Sequence, residues 1–66
     1  MQEKSLYRPK DAAKKAGISI SHMYKLINDG EFPKPIKISE RITAFVDREV
    51  DQWIDEKIRK ARESNT

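Results

Sequence analysis

Apolar residues recur along this chain in two rhythms. Met23, Leu26 and Ile27 follow the i, i+3, i+4 spacing of a buried helical stripe, and Val50, Trp53, Ile54 and Ile58 repeat it further on. Between these stretches the period shortens: Ile36, Lys37 and Ile38 alternate as a half-buried strand does, and "ITAFV" supplies a second short run. A helix of about two turns is predicted in "RPKDAAKKAG", with proline near its start, Asp11 in its first turn and Gly17 where a left-handed C-cap residue is wanted. Ala12, Ala13 and Ala16 mark its inner face and are small enough to let another helix approach closely. The second helix starts after Ile18 with Ser19 as its cap and ends around Asn28, with Gly30 able to take positive φ. Only "GIS" separates the two, which is the spacing of a helix-turn-helix.

The next segment, "GEFPKPIKI", is a stiff strap. Pro33 and Pro35 cut the conformational freedom of the connection and so hold the downstream element at a fixed offset from the second helix. That element is a β-hairpin, Ile36 to Ile38 against roughly Thr43 to Phe45, with "SER" as a tight turn and Arg41 at or near the tip. A hairpin attached to a helix-turn-helix is a wing. The third helix, "DREVDQWIDEKIRKARE", takes Asp47 as its N-cap, and its early acids and late bases suit the helix macrodipole. Trp53 is the largest core candidate, expected to pack between the hairpin and the first two helices. The predicted fold is therefore mainly α with a small β-hairpin, a winged helix-turn-helix of three helices and a two-stranded wing. It forms one domain over residues 1–66, with residues 1–5 and 63–66 loose.

Size and composition narrow the function. A chain of 66 residues buries only about 60% of the surface its unfolded form exposes, so the core must be small. Without cysteine there is neither a disulfide framework nor a thiolate metal site, as suits a reducing cytoplasm. No apolar run approaches the roughly 20 residues of a membrane span, and "MQEKSLYRPK" lacks the apolar stretch of a signal peptide, so a soluble, cytoplasmic protein with no membrane partner is expected. A single histidine, His22, cannot build a zinc site from clustered ligands, and two glycines cannot make a phosphate-cradling loop. The chain is expected to be no enzyme and to use no cofactor or metal. Fourteen Lys and Arg against eleven Asp and Glu leave a net charge of +3, which suits an anionic partner.

The second helix offers that partner a face. Opposite its apolar stripe lie Ser21, Tyr24, Lys25 and Asn28, whose hydroxyl, phenol, ammonium and amide are groups that bond phosphates or read base edges. Lys25 and Ser21 are the candidates for base contacts, and Tyr24 and Lys37 for phosphates. Arg41, at the wing tip, can enter a minor groove or fork onto a phosphate. Ser19, Ile20 and His22 at the start of the helix, and Thr43 on the wing, complete the candidate DNA-facing set. Each has a blander account as solvated surface, and Arg41 has one as a partner of Glu40 or Glu31.

From Leu6 to about Ile58 the residues resemble the AlpA-like phage and prophage regulators, relatives of the MerR-like and excisionase winged helices. The serine-capped helix ending in "YKLINDGEFPKPIKI", the arginine turn and "AFVDREVDQWI" carry the resemblance. It implies a double-stranded-DNA-binding protein of a mobile element that activates transcription, acts as an excisionase, or does both. Its partners would be an integrase or RNA polymerase, and further copies of itself on DNA. The chain departs from the family pattern at Ile20, where members often carry a basic residue, and at His22, where they carry a small hydroxyl residue. The preferred sequence is therefore not transferable from a relative. Only about two turns remain beyond Trp53, too few for the long coiled coil through which MerR-like regulators pair, so a monomer is expected in free solution. The competing class is a small protein-interaction adaptor that uses the same fold without DNA.

Overall fold

The computed structural model describes residues 5–64. The elements run β1 (Leu6–Tyr7), α1 (Pro9–Ala16), α2 (Ile20–Asn28), β2 (Ile36–Ser39), β3 (Ile42–Val46) and α3 (Asp47–Ser64). Pro9 opens α1 at a position where a missing amide hydrogen costs nothing. The end of α1 is a Schellman motif: Gly17 sits at φ 77°, its N–H donates to the Lys14 carbonyl, and the Ile18 N–H reaches back to the Ala13 carbonyl. Ser19 comes next as the cap of α2, its Oγ accepting from the His22 N–H at 3.1 Å. The far end of α2 repeats the Schellman geometry, with Gly30 at φ 78° and the Glu31 N–H donating to the Leu26 carbonyl at 2.7 Å. Among the described residues nothing beyond the chain neighbours lies within 4 Å of where a β-carbon would stand on either glycine, so backbone conformation rather than space selects glycine there.

The arrangement matches the expected helix-turn-helix with a hairpin, with one addition. The sheet has three strands in the order β1-β3-β2, all antiparallel, because Leu6 and Tyr7 pair with Val46 and Phe45. Two residues are too few to show a period, so β1 leaves no signal in the sequence. The hairpin turn is Glu40–Arg41, and among the described residues only the two glycines have positive φ. A two-residue turn without positive φ does not match the twist of its strands. A register shift between Lys37 and Ser39 accompanies it, one extra residue on β2 at Ile38. The expectation that Ile36 and Ile38 are half-buried is corrected: they are 45% and 50% exposed. Their strand is the edge of the sheet and packs mainly on β3.

Phe45, Met23 and Val50 are the largest fully buried side chains, joined by Ala12, Ala13 and Phe32. Helices α1 and α3 pack on the Phe45 face of the central strand. Leu6, Ile36, Ile42, Ala44 and Val46 alternate onto the opposite face. Trp53 is not the centre of this core. It is half-buried at the rim, its ring edge-on to Phe32 at 4.7 Å and its indole N–H donating to the Glu31 carbonyl at 2.7 Å. An indole needs a partner for its N–H, and a strap carbonyl at the surface supplies one where the interior has none. Ile58 also departs from its expected place in the stripe, being 44% exposed. At 18 residues α3 is about 27 Å long and outruns the small core it packs on.

Asp47 caps α3 in an unexpected way. It is the first residue of the helix, and its carboxylate accepts from the N–H of Arg48 at 2.7 Å while also accepting from the N–H and hydroxyl of Ser5 at 3.0 and 3.3 Å. The Asp47 N–H donates to the Ser5 carbonyl in return, which closes a clasp over the start of β1. The Tyr7 hydroxyl adds a bond to Asp51 at 3.2 Å, and burial together with the Asp51 charge pushes the phenol above its ordinary pKa. The expectation of loose ends at 1–5 and 63–66 falls mostly outside the described residues. Within them, Ser5 is held by this clasp and Glu63 and Ser64 continue α3.

Two measurements test this packing. Phe45→Ala is expected to cost about 3–5 kcal/mol, enough to unfold most of a domain whose total stability is on the order of 3–10 kcal/mol. Trp53→Phe, which keeps a ring but loses the bond to Glu31, is expected to cost about 0.5–1.5 kcal/mol. Urea titrations showing the opposite order would overturn the assignment of the core. The clasp has a pH signature: the Ser5 amide holds the Asp47 carboxyl below the usual range, so its contribution is present above the unfolded aspartate pKa and is lost as pH falls through the folded one. The stability difference between the parent and Asp47→Asn is therefore expected to be constant near neutrality and to vanish in acid. Melting curves across that range decide it.

Candidate nucleic-acid interface

At about 100° per residue, the buried stripe of α2 made by Met23, Leu26 and Ile27 spans about a quarter of the helix surface. Ser21, Lys25 and Asn28 fall almost diametrically opposite, and all are exposed. Ile20 and Tyr24 occupy one flank of that face, 41% and 42% exposed, and His22 lies on the other flank. The face is thus polar along its middle with an apolar edge. It is fixed from both ends, by the Ser19 cap at the start and by the Gly30 turn at the close. Glu31, whose N–H completes that turn, opens the strap, and the next residue, Phe32, is buried at 4% exposure.

The hairpin supplies the second part. Lys37 is directly opposite Thr43, so the two share a face of the sheet, and β3 alternation puts Thr43 on the same face as Phe45. That is the side on which the helices lie, so Lys37 projects toward the half of the molecule that carries α2. Thr43 is half-buried and Lys37 exposed. Arg41 stands exposed in the turn itself, as expected from the sequence. Its alternative role as a partner of Glu40 or Glu31 does not occur: Arg41 makes no ion pair among the described residues, and neither do Lys25 and Lys37. Three cationic groups on two parts of the fold are therefore uncommitted. Among the described residues no cluster of three or more His, Asp or Glu side chains could hold a metal ion, and no helix is long and apolar enough to cross a membrane.

One further surface has no counterpart in the sequence pattern. An open groove of about 940 Å³ runs between the strap and α3, lined by Phe32 and Trp53 and by Glu49, Glu56, Lys57 and Lys60. Phe32 and Trp53 meet in its wall, a contact between residues 21 positions apart that no local pattern announces.

A protein-family model described as Prophage CP4-57 regulatory protein (AlpA) matches residues 5–58. The match takes in β1 through most of α3, including all of the α2 face and the hairpin, and agrees with the resemblance read from Leu6 to about Ile58. No curated protein matches the chain, and no solved structure does.

The uncommitted charge of Arg41 yields a direct test. If it neutralises a phosphate, Arg41→Ala weakens binding to every duplex and flattens the slope of log K against log salt by about 0.9, one counterion equivalent. Fluorescence anisotropy titrations at a series of salt concentrations measure both quantities. A folded variant with the parent's slope and affinity would remove the wing from the interface.

Proposed function

This chain belongs to the AlpA family of prophage regulatory proteins, and on that footing we propose that it binds double-stranded DNA sequence-specifically to regulate a phage-like element. The action is transcriptional control, excision of the element, or both. The observation that carries the reading is the face of α2: Ser21, Lys25 and Asn28 are exposed and held in one row by a helix capped at both ends. Such a row fits the major groove, where Lys25 can donate to guanine O6 and N7 and Asn28 can pair with adenine. Lys37 and Arg41 then meet the backbone or an adjacent minor groove, and the proline strap, pinned by Phe32, keeps their distance from α2 constant.

The work is binding alone, with no catalytic step and no cofactor. The protein acts in the bacterial cytoplasm as a monomer in free solution, and several copies, an integrase or RNA polymerase join it on DNA. Selection from a random duplex pool followed by gel-shift titration tests the reading. Lys25→Ala is expected to lose about 1–3 kcal/mol of affinity and to relax preference at one base position. A protein that selects no sequence and binds no duplex at low salt would leave the interaction-adaptor class as the better account.

A further inference from the structure

The α2 face is not uniformly polar. Ile20 is the first residue of the helix, and its apolar side chain remains 41% exposed, with Tyr24 one turn on at 42%. The core gains little from it: Ile20 is outside the buried cluster and outside the residues packed against that cluster, where Met23, Leu26 and Ile27 fill the inner side. Ile20 stands at the first position of the helix, on the flank of the row of Ser21, Lys25 and Asn28 that the proposed function places in the major groove. Residues at the start of a reading helix are those that reach base edges. The major groove presents hydrogen-bonding atoms at every base pair but only one apolar group, the C5 methyl of thymine.

Resting on the DNA-binding reading, we infer that Ile20 reads the C5 methyl group of a thymine. The polar row beside it, Ser21, Lys25 and Asn28, reads or anchors the neighbouring pairs, so the site prefers a thymine at one edge of the contacted step. Tyr24 stands one turn along the same flank, itself 42% exposed. A purely structural Ile20 would affect folding stability and leave the methyl unread.

Uracil differs from thymine by this methyl alone, so the experiment uses the duplex that the protein selects from a random pool, with each thymine replaced by uracil in turn. For the parent, one position is expected to weaken binding about fourfold, the effect of one methyl group taken out of water. Ile20→Ala, a change that favours the helix, is expected to bind the thymine and uracil duplexes alike at that position. Ile20→Val, which keeps two methyl groups at the same place, is expected to retain part of the discrimination. Equal binding of all uracil duplexes by the parent, or an undiminished fourfold effect in Ile20→Ala, would overturn the inference while leaving DNA binding intact. Failure of the parent to bind any duplex would overturn the DNA-binding reading and this inference with it.

Discussion

The structure depends on where Phe32 goes. This residue leaves the strap and enters the core edge-on to Phe45, 5.8 Å between ring centroids at 76°, while its other side meets Trp53 of α3 at 4.7 Å. Edge-to-face pairs of this kind add stabilisation beyond the area they bury. One side chain thereby ties together three parts of the chain: the exit of α2, the central strand and the closing helix. The prolines on either side of Lys34 restrict the path from Phe32 to β2, so the anchor and the stiff connection act together. The hairpin is held a second time through β3, which pairs with β1 and buries Phe45 against the helices.

Legibility in the sequence tracks range. Both glycine-closed helices are readable because a Schellman end, a serine cap and a three-residue link are local features. The hairpin is readable from its alternation and turn. Trp53 is expected too deep because period and size say that a residue belongs near a core but do not rank it against a phenylalanine 21 residues away. Ile36 and Ile38 are expected too buried because alternation assumes a neighbour on one face, and an edge strand with an extra residue has none to keep the alternation meaningful. Strand β1 and the Ser5–Asp47 clasp are invisible, since both arise from contacts about 40 residues apart in sequence.

The same division holds for the candidate interface. Ser21, Lys25 and Asn28 can be grouped from periodicity because all three sit on one short helix. Lys37 reads as a candidate from its charge, but its direction depends on the register with Thr43, since a shift of one residue sends every side chain to the other face. Arg41 is expected at the tip and stands there, yet its freedom from Glu40 and Glu31 is a matter of three-dimensional distance. Family membership adds the regulatory setting, which no single residue expresses.

The rim position of Trp53 gives the domain a built-in optical label. It is the only tryptophan in the chain, so selective excitation interrogates one junction, with a strap carbonyl at its N–H and the Lys57 ammonium 5.4 Å from its ring. Indole emission responds to nearby charge and to solvent access, and both change if the strap lifts from α3. Its intensity therefore tracks the seating of the strap, and through it the spacing between helix and hairpin, in the unmodified protein.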